Sequence, residues 1–196
     1  TIAFELAGGK GDAIRGKIEL PKDRTGMPLI FILHGYKAFS GWGFFPYLSN
    51  RLALAGAIAV SYDFSRSGVT DREKLLYDNE LFSNNTVSLE IADAKIVYHE
   101  MISRLQNEEQ FAEKWNGEIY FAGHSLGGAI SIMLASEFNE IKKTAAIAAI
   151  SQFDRYSERQ KELWLKRGVF EFKVNTTGQT LSMSADWVKD IIANSE

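Results

Sequence analysis

The pentapeptide Gly123-His124-Ser125-Leu126-Gly127 sets a hydroxyl between two glycines, directly after the apolar run Ile119-Tyr120-Phe121-Ala122 and before the small residues Gly127-Gly128-Ala129. A G-x-S-x-G spacing in that context reads as strand, sharp turn, helix. Glycines two residues to either side permit a turn so tight that the serine itself must take a strained backbone, which leaves Oγ exposed at the strand's end. The following helix aims its first amides and the positive end of its dipole at the place where an oxyanion would form. The chemistry such an arrangement serves is nucleophilic acyl transfer. The competing use of the same residues is a glycine-rich turn that serves packing only.

A serine nucleophile needs a proton acceptor. The chain has three histidines, His34, His99 and His124, and none follows Ser125. His34 ends the apolar run Leu29–Leu33 in a His-Gly pair, where an imidazole more often bonds backbone than does chemistry. His124 precedes the serine and is expected to project elsewhere around the turn. His99 lies within a long amphipathic segment, where a solvated rim position is the ordinary expectation. Without a base the hydroxyl stays protonated and weakly nucleophilic.

Other chemistries leave no trace. There are no cysteines, so thiolate zinc sites and cysteine nucleophiles are excluded. His, Asp and Glu show no metal-ligand spacing, and neither a phosphate-binding loop nor a dinucleotide fingerprint occurs, so no metal or cofactor is expected. The net charge of −3, with Lys and Arg dispersed, gives no footprint for nucleic acid or an anionic membrane. No apolar run reaches the length of a membrane span, and the N-terminus lacks the pattern of a leader, so cytoplasmic residence is the default expectation. Two Asn-x-Thr sequons, at Asn84 and Asn175, carry no weight alone.

The elements that would position Ser125 alternate along the chain of 196 residues, 45% of them hydrophobic. Ile2–Leu6 and Ala13–Leu20 predict an antiparallel hairpin at a sheet edge. Leu29–Leu33 and Ala57–Tyr62 predict strands covered on both faces. Between them Phe44–Ala55 has helical spacing, with Gly56 as the stop. Val87–Leu105 carries Ile91, Ala94, Val97, Tyr98, Met101 and Leu105 on one helical face. Then come a strand at Glu118–Ala122, a helix at Leu126–Phe138 and a buried strand at Thr144–Ile150. That order predicts an α/β domain with a mainly parallel sheet flanked by helices. Beyond it, Arg155–Arg167 reads as a charged helix, Val169–Val174 and Thr180–Met183 as strands around the turn Asn175–Gly178, and Ala185–Ile192 as a helix start. Asp63 is expected to bond its own loop at Ser65 or Ser67. Phe39, Trp42, Phe44, Phe45 and Trp164 are either core or the wall of an acyl or aryl pocket.

The His34-Gly35 loop, the Gly41-Trp42-Gly43-Phe44-Phe45-Pro46 helix entry, the strand end Tyr62-Asp63-Phe64-Ser65 with Gly68 after it, and the turn at Ser125 together resemble the α/β-hydrolase family. The closer likeness is to dienelactone-hydrolase-like and cinnamoyl-esterase-like serine hydrolases, over nearly the whole chain. The resemblance implies the α/β-hydrolase fold, with residues 1–154 as an incomplete core and 155–196 as a partial lid after the sixth strand and the start of the next helix. It implies Ser125 as nucleophile and the backbone N–H groups of Tyr36 and Leu126 as the oxyanion hole. It also implies an acid and a histidine later than Ser125, expected beyond Glu196, with Asp154 as the alternative acid. The expected function is hydrolysis of carboxylic esters or related acyl compounds through an acyl-enzyme; thioesters, lactones and peptides stay open as substrates. A non-catalytic binding protein on the same fold is the alternative. The chain alone is expected to be nearly inactive, and an open apolar edge along the strand Thr144–Ile150 is expected to favour self-association.

Overall fold

The computed structural model describes residues 1–175 and 177–194. A hairpin, β1 (Ile2–Ala7) and β2 (Ala13–Glu19), leads into β3 (Met27–Leu33), α1 (Phe45–Ala55) and β4 (Ile58–Asp63). A short hairpin, β5 (Val69–Asp71) and β6 (Leu76–Tyr77), precedes the one-turn helix α2 (Asn79–Ser83) and the long α3 (Val87–Asn107). Then follow β7 (Trp115–His124), α4 (Leu126–Glu137), β8 (Ile141–Ile147), α5 (Glu158–Arg167), the hairpin β9 (Val169–Lys173) and β10 (Thr180–Ser184), and α6 (Ala185–Ala193). Of the turn expected at Asn175–Gly178, Thr176 lies outside the described residues.

Six strands form the main sheet in the order β1-β2-β4-β3-β7-β8. β2 runs antiparallel to both neighbours, while β4, β3, β7 and β8 are parallel. Every residue of β4 is buried, as a strand covered on both faces must be. Phe31 of β3 stacks on Phe121 of β7 at 4.8 Å between ring centroids, in the same cluster as Val97, Tyr98 and Met101 of α3 and Ile130 and Leu134 of α4. Phe45, Leu48 and Leu52 of α1 cover Ile32 and Ala59 in a separate cluster. Side chains of β3 alternate between the two, so the sheet is a middle layer with apolar contacts on each side.

Helix limits follow local chemistry. α1 begins with Pro46 in its first turn and ends at Gly56, whose φ of 101° is open to glycine. Thr86 caps α3 by accepting from Leu89 N–H, and Asp190 of α6 accepts from Ser88 N–H at 2.9 Å, adding a negative charge where the helix dipole is positive. α5 starts three residues later than Arg155 because Ser157 and Gln160 form a capping box.

The last sheet strand departs from the sequence expectation. β8 occupies Ile141–Ile147 instead of Thr144–Ile150, and it is largely exposed instead of buried. Among the described residues it pairs with β7 only. The early ending has a backbone cause: Ala148 turns to φ 45°, after which Ile150 N–H donates to Ser125 O. Residues read as strand end are drawn under the turn at Ser125.

The segment after β8 packs as a unit. Trp164 of α5 donates its indole N–H to Met183 O of β10 at 3.0 Å, and Ala185 N–H donates to Gly168 O at 2.8 Å. Trp187, Val188 and Ile191 of α6 are buried in the main cluster.

Candidate active site

Ser125 stands between β7 and α4 with φ 53° and ψ −115°, a conformation that costs a residue bearing a side chain on the order of 1–3 kcal/mol. Its surroundings impose that shape. A Cβ on Gly123 would collide with the Gly127 backbone, and one on Gly127 would collide with His34 O and lie 2.6 Å from Leu33 O. Strand, helix and the neighbouring strand end therefore approach more closely than any larger residue permits. Backbone bonds lock the turn: Ser125 N–H donates to Ile147 O at 3.0 Å, and Ser125 O accepts from Gly128, Ala129 and Ile150 at 3.1, 3.2 and 3.3 Å.

The His34-Gly35 loop lies against this turn. A Cβ on Gly35 would sit 3.0 Å from Ser125 Cβ. Ala38 N–H donates to Gly35 O at 3.1 Å, closing a turn over Gly35-Tyr36-Lys37-Ala38 in which Lys37 has φ 62°. Among the described residues neither Tyr36 N–H nor Leu126 N–H has a hydrogen-bond acceptor. Two unengaged backbone donors thus flank Ser125, one at the start of a helix and one in the adjoining turn.

The histidines lie as the sequence led us to expect. His34 is buried; Phe64 N–H donates to its Nε2 at 3.3 Å, which leaves Nδ1 to donate to Gly35 O at 2.9 Å. Burial holds its pKa below the ordinary value, outweighing the attraction of Asp63, so the ring is a neutral brace for the loop. The His124 ring turns its edge to Phe44 and Phe45 at the start of α1, and its Nδ1 is buried without a partner. His99 is exposed on α3, edge-on to Phe138.

The acidic residues bring one correction. Asp63 does not bond Ser65 or Ser67; it accepts from Ser40 N–H at 2.6 Å and pairs with Arg72. The loop is braced by Asp93 of α3, which accepts from Ser65 N–H at 2.7 Å and Gly9 N–H at 3.1 Å. Asp154 is tied to Lys161 at 2.5 Å, a bond that holds its carboxyl below the usual range. The sequence reading missed Asp93 and Glu90, although charges three residues apart beside the apolar face of α3 were a visible signal. Burial pushes Glu90 up to about 8, with Asn85 donating to one carboxyl oxygen at 2.7 Å.

Of the aromatics, Phe39 and Phe45 are core, whereas Trp42 and Phe44 are exposed. Trp164 lines a cavity of about 310 Å³ with Tyr156, Leu163 and Phe170, on the segment after β8; Ser125 is not part of its lining. Among the described residues no His, Asp and Glu side chains are grouped to hold a metal ion, and no helix is long and apolar enough to cross a membrane.

Solved structures share this fold. A protein of Agrobacterium vitis S4 provisionally described as a hydrolase superposes over 98% of this chain and 72% of its own, at 18% identity and a TM-score of 0.72. Est1E of Butyrivibrio proteoclasticus covers 98% of this chain and 70% of its own at 16% identity and a TM-score of 0.63. Mouse alpha/beta hydrolase domain-containing protein 10 covers 100% and 71% at 16% identity and 0.62. No curated protein matches the chain in sequence. The family model described as lipase (class 3) matches residues 70–180, more than half of the chain and the stretch that contains the Ser125 turn. The chain therefore belongs to the class 3 lipase family and has the α/β-hydrolase fold.

Proposed function

We propose that the protein is a serine hydrolase of carboxylic esters or related acyl compounds, with Ser125 as nucleophile and the N–H groups of Tyr36 and Leu126 as the oxyanion hole. The observation that carries this reading is the strained Ser125 backbone, enforced by glycines without room for a side chain, at a strand-to-helix junction. Ser125 Oγ attacks the acyl carbon and the carbonyl electrons move onto oxygen, which accepts from both amides. The base that takes the Ser125 proton passes it to the departing alkoxide as the adduct collapses, which releases the alcohol and leaves the acyl group on Oγ; water then attacks the acyl carbon, gives a proton to the same base, and the acid leaves as that proton returns to Oγ.

The proton acceptor in this reading is a histidine outside these 196 residues, together with its acid. His34 has both ring nitrogens engaged, His99 faces solvent on α3, and His124 is turned to α1. In this reading the acid is not Asp154, whose carboxylate pairs with Lys161. In this reading residues 155–196 hold the lid and the start of the next helix, and the substrate is a small-molecule ester or acyl compound. Est1E has been solved with ferulic acid bound, which makes aryl-acyl esters the first class to assay here.

A fluorophosphonate probe tests the assignment. Labelling of the full-length protein at Ser125, lost together with p-nitrophenyl acetate turnover in Ser125→Ala, is the expected result; labelling at another serine would remove it. The histidine positions favour a second reading, a binding protein that keeps the fold without the chemistry. A folded full-length protein that resists the probe altogether would establish that reading instead.

A further inference from the structure

We propose that Tyr77 is a positioning residue for the Gly35–Ala38 turn, and that the β9–β10 hairpin acts on the active site through it; the catalytic part of this inference rests on the Ser125 reading above. The turn needs outside support. Lys37 sits at its third position with φ 62°, where glycine is the residue ordinarily found. Two distant groups hold Lys37, one at each end. Tyr77 donates its hydroxyl hydrogen to Lys37 O at 3.1 Å, and the Lys37 ammonium lies 3.5 Å from the centroid of the Phe172 ring of β9.

Tyr77 is itself held from the hairpin. Its N–H donates to Gln179 Oε1 at 3.1 Å, and Gln179 Nε2 donates back to Tyr77 O at 2.6 Å, so one side-chain amide satisfies both backbone groups of the residue. Two residues on, Ser182 N–H of β10 donates to Asn79 Oδ1 at 2.7 Å and Asn79 Nδ2 donates to Ser182 Oγ at 3.0 Å. Two carboxamides thus zip the hairpin to the 77–79 segment. The line of contact runs from Gln179 through Tyr77 and Lys37 to Gly35, whose backbone abuts Ser125. Within the turn, Ala38 N–H closes on Gly35 O while Tyr36 N–H stays free, so fixing the Lys37 peptide fixes the direction of the free donor. Loss of the tyrosine hydroxyl leaves the fold's apolar contacts in place and releases the turn.

The test uses the full-length protein with Tyr77→Phe, Gln179→Ala, Lys37→Gly and the pair Tyr77→Phe/Lys37→Gly. Two readouts are taken: hydrogen exchange at the Ala38 amide, and the rate of fluorophosphonate labelling at Ser125. Tyr77→Phe is expected to speed Ala38 exchange and slow labelling, each by about fivefold, the effect of one net hydrogen bond. Gln179→Ala acts in the same direction with a smaller effect. Adding Lys37→Gly to Tyr77→Phe restores most of both, because glycine adopts the turn without help; a general loss of stability would not be rescued in that way. Wild-type exchange at Ala38 in Tyr77→Phe, or failure of the rescue, overturns the inference. Faster exchange with unchanged labelling at Ser125 overturns the positioning role. Should wild type be labelled elsewhere or not at all, the Ser125 assignment falls, and the exchange measurements alone decide whether Tyr77 holds the turn.

Discussion

The turn at Ser125 and the turn at Lys37 face each other across Gly35, and both ask a residue with a side chain to adopt positive φ. They are held by opposite means. Ser125 is held from within its own stretch of chain and its sheet neighbour, by Gly123, Gly127 and backbone bonds to Ile147 and Ile150. Lys37 is held from outside, by a hydroxyl forty residues away and an aromatic ring in β9. Strain secured by neighbours in sequence is built in; strain secured by remote side chains can be released one contact at a time.

The largest effect is expected on the built-in side. Gly127→Ala drives a methyl into the backbone of Leu33 and His34, and is expected to destabilise the protein by about 3 kcal/mol, read by urea unfolding, with loss of Ser125 labelling. A variant that folds with wild-type stability would mean that the start of α4 and the end of β3 are not in contact.

A second effect lies under the Lys37 turn, where the Tyr36 hydroxyl and one Glu90 oxygen are both buried without partners. Glu90 ionises at about 8 in the folded protein against an ordinary 4.5, so between those values the unfolded chain releases a proton that the folded chain keeps. The contribution of Glu90 to stability is therefore greatest below the lower value, falls as pH rises through the interval by up to about 1.4 kcal/mol per unit, and levels off above the upper one. Glu90→Gln keeps an acceptor for Asn85 and is expected to flatten this slope, making the variant the more stable protein at pH 8. Parallel pH profiles of wild type and variant would count against a neutral Glu90.

Smaller effects separate the two turns directly. Ser125→Gly relieves a conformation close to glycine's own region and is expected to stabilise by about 1 kcal/mol after the entropy glycine adds to the unfolded state, raising Tm by roughly 3 °C. Lys37→Gly relieves less strain and loses the Phe172 contact, so its stability is expected to stay within about 0.5 kcal/mol of wild type. Calorimetry that reverses this order would mean the two turns store strain alike.

The same contrast governs what could be read from the sequence. The β1–β2 hairpin, α1 with its Gly56 stop, α3, β7 and the Ser125 turn were legible because their periodicity and glycines lie within a few residues of the feature they specify. β8 was misread because Ala148-Ala149-Ile150 continues the apolar composition of a strand, while Ala148 turns to positive φ and Ile150 N–H is taken up by Ser125 O. Asp63 was misassigned and Asp93 missed for a related reason: nothing local tells an aspartate whether its backbone donor lies two residues ahead or 28 residues back, as Ser65 does from Asp93. Tyr77 was invisible for the same cause, since its partners Lys37 and Gln179 come from opposite ends of the chain.

The bonds from Ser125 to Ile147 and Ile150 also bear on the making of the protein. The groups that complete the turn are carried by the end of β8 and the residues just past it, after the whole of α4, so a nascent chain that has emerged only through Gly128 holds the glycines but lacks these partners of the serine's own backbone. Synthesis proceeds at roughly 5–20 residues per second, and for the second or more needed to deliver Ile150 the hydroxyl belongs to an ordinary flexible loop. Ser125 therefore takes the shape of its turn late, only when β8 docks and brings Ile147 and Ile150 to its backbone.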